Sequence, residues 1–249
     1  MSGFKNKVAL VTGASSGIGA CVAQRIATEG GQVFGIGRDP TGLATTTDII
    51  KKSNGTITTG QYDISNADQC RAAIRDCITH YGRIDVLINC AGRHKFRQLH
   101  EVTDDNWWSD IATNLGGTFF LSQAAIPELI KTAGNIVNVG SLASVEGQPY
   151  SAAYCSAKHG IVGLTRALAL EFMKEPIRIN AVCPGGTKTP QQQKVGMPES
   201  ADFDLIMTAA GMREMAEPED IAAVICFVAS DDAKSVHGAI YMADNGKTT

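Results

Sequence analysis

The chain has 249 residues, 44% hydrophobic and 19% charged, with a formal net charge of −3. This is the balance of a soluble globular protein with a substantial core, and it excludes a nucleic-acid binder, which would carry a basic face or stripe. No apolar stretch approaches the length of a bilayer span, and the seven cysteines are scattered without a Cys-x-x-Cys pair, so neither a disulfide frame nor a metal site is expected and the setting is a reducing, cytoplasmic one.

The first apolar run, 8–11, is too short for a signal-peptide core and predicts a strand. A glycine-rich turn follows it and opens a helix near 17–29. Strand 32–36 comes next, and then Asp39-Pro40, a cap with proline at the first helical position, starts a helix over 40–52. After strand 56–61, Ser65-Asn66-Ala67-Asp68 opens a helix near 66–80 in the same manner. Strand 86–89, a long helix over 104–131, strand 135–139, a helix over 152–174 and strand 177–183 continue the alternation. Glu217-Pro218-Glu219-Asp220 starts the last helix, 218–229, before strand 239–242. Short strands, apolar on both sides, alternating with amphipathic helices predict an α/β fold. It is a Rossmann-like, doubly wound parallel sheet of about seven strands with helices on both faces. No repeat, low-complexity tract or linker interrupts it, so residues 1–249 are expected to form one domain.

The turn after the first strand reads Thr12-Gly13-Ala14-Ser15-Ser16-Gly17-Ile18-Gly19. Glycines there allow a tight turn and let a pyrophosphate approach backbone N–H groups at a helix N-terminus. The spacing Gly-x-x-x-Gly-x-Gly differs from the Gly-x-Gly-x-x-Gly of larger dehydrogenases, and a glycine turn alone is a weak signal. The second strand ends in Gly35-Ile36-Gly37-Arg38-Asp39. An acidic residue at its end would grip the ribose 2′-hydroxyl of NAD, whereas an arginine accepts a 2′-phosphate. Gly37 leaves the acidic position empty and Arg38 follows, so NADP(H) is favoured over NAD(H). The lack of a basic residue at Ser15 or Ser16 argues the other way.

Together these residues resemble the short-chain dehydrogenase/reductase family along essentially the whole chain. The segment from Thr12 to Gly19 is similar to its cofactor loop, and Asp63-Ile64 to the pair that holds the adenine ring. Asn89-Cys90-Ala91-Gly92 resembles the family's Asn-Asn-Ala-Gly, departing at Cys90. Asn114, Ser141, Tyr154 and Lys158 match its catalytic tetrad. Pro184, Gly185, Thr187 and Thr189 match the nicotinamide-side segment. The resemblance implies that Lys158 also binds the nicotinamide ribose and that Asn114 holds a water linking Lys158 to solvent.

The chemistry agrees with that likeness. Tyr154 and Lys158 lie four apart on a helix and share a face. A tyrosine of pKa ~10 is a poor proton shuttle near neutrality, and a nearby cation lowers it by roughly 1–3 units. Lys158 is expected to do this, so that Tyr154 acts as acid in reduction and base in oxidation. Ser141, at the carboxyl end of the fifth strand, would hydrogen-bond the substrate oxygen. The expected activity is therefore NAD(P)(H)-dependent interconversion of a carbonyl and a secondary alcohol. Two other readings stand beside it: a catalytically idle dinucleotide-binding regulator on the same fold, and a sugar epimerase or dehydratase. Those last relatives carry a different glycine spacing and an extra C-terminal region.

Two segments remain for a small-molecule substrate. Arg93, His94, Lys95, Phe96 and Arg97 form either a rim that attracts an anion, such as a phosphopantetheine, or a solvated loop. The stretch 187–215, with Met197, Met207, Met212 and Met215, is expected to form an adaptable apolar lid, with helix packing as the alternative. Trp107 and Trp108 read as packing or a subunit contact. Family members pair the long helices across subunits, which implies a homotetramer or homodimer.

Overall fold

Seven parallel strands form one sheet in the order β3-β2-β1-β4-β5-β6-β7 in the computed structural model, which describes residues 3–249. Met1 and Ser2, at the head of the sequence read above, lie outside the described residues. The strands are β1 (Val8–Thr12), β2 (Gln32–Gly37), β3 (Thr56–Gln61), β4 (Val86–Asn89), β5 (Asn135–Val139), β6 (Arg178–Pro184) and β7 (Ile240–Ala243). The helices between them are α1 (Gly17–Thr28), α2 (Pro40–Lys52), α3 (Ala67–Tyr81), α4 (Asp104–Ile111), α5 (Gly117–Lys131), α6 (Ala152–Glu171), α7 (Pro190–Gln193), α8 (Phe203–Thr208) and α9 (Pro218–Ala229).

Strand alternation explains the layering. In β1, Ala9 and Val11 face a cluster built with Val22, Leu43 and Ile225, from α1, α2 and α9. Val8 and Leu10 face the opposite cluster, with Ile74, Leu121 and Ala169 from α3, α5 and α6. A sheet covered on both faces favours apolar residues on both sides of its strands, and β1, β4 and β5 are buried throughout. Each fully buried aliphatic side chain contributes roughly 1.5–3 kcal/mol. The caps read from sequence are made: Asp39 Oδ1 accepts from Thr41 N, and Asn66 Oδ1 from Asp68 N and Gln69 N.

Where the chain leaves β3 it returns to the far side of β1, pairing Val11 with Ile88. The strand order reverses there, and the crevice outside the carboxyl ends of β1 and β4 is where such sheets hold ligands.

One predicted element is not a single helix. The 104–131 segment breaks into α4, a π-helical turn over 112–116 and α5. Local periodicity cannot register a wider turn, because side-chain spacing barely changes across it. Such turns occur frequently at functional sites, and this one contains Asn114. The 187–215 segment holds only the short helices α7 and α8. No helix among the described residues is long and apolar enough to cross a membrane.

Candidate active site

A cavity of about 730 Å³ opens at the carboxyl edge of the sheet. One end is built by the β1–α1 turn. Gly13 and Gly17 adopt φ of +71° and +54°, which side chains other than hydrogen rarely tolerate. Gly19 is needed for another reason: a Cβ there would overlap the Gly13 carbonyl oxygen and lie 2.7 Å from its carbon. The Ser16 side chain makes no capping bond, so the first N–H groups of α1 are left for a ligand. Gly17, Ile18 and Gly19 line the cavity beside Ser15 and Ser16. This glycine cradle at an uncapped helix N-terminus fits the pyrophosphate of a dinucleotide.

Further along the same wall stand Arg38, Asp63 and Ile64. Arg38 lies 3.8 Å from Asp63 and remains mostly exposed. Partial burial opposes charge on Asp63, but bonds from the Ser65 backbone and hydroxyl, with Arg38, outweigh it and hold the carboxyl below its ordinary range. A Cβ at Gly37 would come within 3.2 Å of Ser15 Oγ, so the site is tight at the position where an acid would stand. Asp39 carries its carboxylate on Thr41 N as the cap of α2.

Thr12, which sequence reasoning did not single out, aligns the next wall. Its Oγ1 accepts from both Cys90 N and Ala91 N, at 2.9 and 2.8 Å, and pins the β4 loop to β1. Ala91 and Gly92 then line the cavity. A Cβ on Gly92 would press to 2.9 Å from Asn114 Oδ1 and 3.5 Å from Lys158 Nζ. Asn89 lies behind this wall: its Nδ2 donates to Ser122 Oγ and Asn138 Oδ1, and it does not reach the cavity. Asn114 is likewise buried beneath it, donating to Asp110 O and accepting from Arg93 N. The remaining predicted residues, Pro184, Gly185, Thr187 and Thr189, line the far side.

Ser141, Tyr154 and Lys158 meet at the centre. A short helical turn after β5 holds Ser141, whose N donates to Ser144 Oγ while its own Oγ accepts from Ala143 N. Lys158 is buried and donates from Nζ to Val139 O at 2.9 Å. Burial pushes its pKa down to about 8, against the pull of Cys90 and Cys183. Burial pushes the Tyr154 phenol up to about 12, and the Ser141 hydroxyl only partly offsets this. The expectation that Lys158 lowers Tyr154 is therefore corrected for the protein by itself. Nζ sits 5.8 Å from the Tyr154 ring centre and is spent on Val139, so desolvation dominates. The phenol is held protonated, as a proton donor must be.

In the 93–97 segment two of the basic side chains turn to an internal partner, while Lys95 stays exposed. Arg93 Nε and Arg97 Nη1 both bind the buried Asp110 carboxylate, at 2.9 and 2.8 Å. Two of its cations thus share the carboxylate of a residue 17 and 13 positions away, which no local pattern reveals. His94 and Phe96 line the cavity instead. Met197, Met207 and Met215 line it too, whereas Met212 is wholly exposed. Asp202 N donates to Tyr150 Oη, and Gln98 Nε2 to Ser200 Oγ, so the 187–215 segment is fastened over the cavity mouth. Trp108 projects into solvent.

The family model for short chain dehydrogenase matches residues 7–200. The chain is 34% identical to the 3beta-hydroxysteroid dehydrogenase of Mediterraneibacter gnavus, over 100% of this chain and 97% of that one. It is 33% identical to the 3-oxoacyl-[acyl-carrier-protein] reductase of Thermotoga maritima, over 98% of each. The structure of a short chain dehydrogenase from Mycobacterium paratuberculosis bound to NAD superposes with a TM-score of 0.92 at 29% identity, covering 99% of each chain.

Proposed function

The chain belongs to the short-chain dehydrogenase/reductase family, and from that premise we propose that Tyr154 is the general acid and base of a carbonyl–alcohol oxidoreductase. The observation that carries this is the convergence of Ser141, Tyr154 and Lys158 on one cavity with the glycine cradle at its other end. When bound, the nicotinamide dinucleotide supplies or accepts the hydride. Tyr154 Oη delivers the proton to the carbonyl oxygen in reduction and removes it in oxidation. Ser141 Oγ hydrogen-bonds that same oxygen and stabilises its developing charge. Lys158 keeps a positive charge beside the phenol and binds the ribose. Asn114, under Gly92, acts by holding the Arg93 backbone and the π-turn in register.

Gly13, Ser15, Ser16, Gly17, Ile18 and Gly19 would hold the pyrophosphate of the dinucleotide, Asp63-Ile64 its adenine, and Ala91, Gly92, Pro184, Gly185, Thr187 and Thr189 its nicotinamide end. NADP(H) is the preferred form, because Arg38 follows β2 mostly exposed, with only a 3.8 Å contact to Asp63, while Asp39 is engaged as a helix cap. The substrate is a ketone or secondary alcohol under a lid formed by 187–215. A 3-oxoacyl thioester, named for the Thermotoga relative, is one such ketone. With Arg93 and Arg97 bound to Asp110, Lys95 is the exposed cation of that segment left to meet an acyl carrier. The idle-regulator alternative gains no support from a site with its proton donor intact. Exposed Trp108, Leu170 and Met173 on α4 and just past or near the end of α6 favour a homotetramer or homodimer, and seven unpaired cysteines favour the cytoplasm.

Tyr154→Phe tests the reading, since it keeps the ring and removes the proton. With a ketone that the wild type reduces, kcat is expected to fall ~10²–10⁴-fold while dinucleotide binding persists. Turnover near wild type would refute the role of Tyr154. Arg38→Ala should weaken NADPH binding at least ~10-fold and leave NADH nearly unchanged; equal losses would refute the preference.

A further inference from the structure

Among the described residues, His94 is the ionisable ring packed against Tyr154. Its imidazole stacks on the phenol with ring centres 4.2 Å apart and planes 24° from parallel. Phe96 meets the imidazole edge-on, with ring centres 4.6 Å apart. His94 Nε2 lies 2.8 Å from Ser151 Oγ, and Ser151 Oγ donates to Pro149 O at 3.1 Å. With the single Ser151 proton donated to Pro149 O, Ser151 Oγ accepts from Nε2, which in that arrangement carries the proton of the imidazole. Nδ1 is then a bare lone pair. It has no protein partner among the described residues. The fully sealed, unpaired side-chain polar atoms among them are Asn89 Oδ1 and Asn135 Oδ1, so Nδ1 is not sealed off. His94 lines the cavity. Burial also pushes the His94 pKa down to about 4, which keeps the ring neutral and the lone pair available at ordinary pH.

We propose that His94 determines substrate choice by accepting, at Nδ1, a hydrogen bond from a second hydroxyl next to the reacting carbon, so that hydroxyketones and vicinal diols are the preferred substrates. This deepens the proposed function and rests on Tyr154 being the proton donor. The reacting oxygen sits between Tyr154 and Ser141, and a donor on the adjacent carbon meets the ring stacked on that tyrosine. A plain ketone offers His94 nothing and leaves a desolvated acceptor unpaired, which a site of this kind discriminates against. The ring is held by a stack, an edge contact and a hydrogen bond, so the acceptor is in place before substrate arrives.

The test compares acetoin with 2-butanone, and benzoin with deoxybenzoin, in wild type and His94→Phe, following nicotinamide absorbance. Phe keeps the stack on Tyr154 and removes both nitrogens. In wild type kcat/KM should favour the hydroxyketone of at least one pair by ~10-fold or more, mainly through KM. In His94→Phe that ratio should fall toward unity. Ser151→Ala, which keeps the imidazole but frees its tautomer, should lower the ratio partway. A wild type that reduces plain ketones as well as hydroxyketones overturns the inference, and so does a His94→Phe variant that loses both alike with the ratio intact. Failure to reduce any ketone with either nicotinamide, despite dinucleotide binding, would instead defeat the oxidoreductase reading beneath it.

Discussion

Replacing Asp110 by asparagine removes a buried negative charge that two arginines share. The carboxylate is 3% exposed, Arg97 16% and Arg93 34%. Removing one partner of a fully buried pair costs about 3–5 kcal/mol, because the remaining charge stays desolvated and unpaired. Arg93 reaches water with a third of its side chain, which recovers part of its hydration and puts the expected loss near the low end, about 3 kcal/mol. For a chain of this size that corresponds to a melting temperature lowered by roughly 6–12 °C. Asn114 bonds the backbone oxygen of Asp110, not its carboxylate, so the π-turn is retained and kcat changes less than stability does. Urea denaturation of Asp110→Asn, Arg97→Met and the double variant measures the effect and its coupling. The double variant should be more stable than Asp110→Asn, since it no longer buries an unpaired guanidinium. A single variant melting within ~2 °C of wild type, or additive losses in the double, would refute this account of the 93–97 segment.

Two further predictions concern the glycine cradle and Lys158. Gly19→Ala drives a Cβ into backbone atoms of Gly13 and Thr12, so calorimetry should show dinucleotide affinity reduced at least ~10-fold with far-UV dichroism unchanged; undiminished affinity would mean the close approach is dispensable. Lys158→Met should abolish most activity yet stabilise the ligand-free protein at pH 7, where holding a lysine at about 8 instead of 10.5 costs about 3 kcal/mol. The sign follows from the depressed value: the unfolded chain binds the proton more tightly, so wild-type stability recovers as pH rises from about 8 to 10.5. The advantage of Lys158→Met should shrink over that window. A gap independent of pH would show that Lys158 is not buried as a charge.

Much of this protein is legible locally. The inner strands were visible because a doubly covered sheet demands short apolar runs, and Asp39, Asn66 and Glu217 mark helix starts through contacts only two or three residues long. The cradle is encoded in glycine spacing, and Tyr154 and Lys158 share a face because a helix repeats every 3.6 residues. Tertiary structure decided what depends on distant partners. Asp110 turned two cations of a supposed binding rim into an internal ion pair. Ser151, 57 positions from His94, holds a ring that the sequence showed only as one more basic residue. Asn89 and Asn114 were drawn behind the cavity wall by bonds to β5, α4 and the 93–97 loop. The phenol of Tyr154 was raised, not lowered, because burial depends on everything packed around it and the neighbouring cation was already engaged elsewhere. Sequence determined which groups could exchange a proton; folding determined their charge, their partners and which of them the substrate meets.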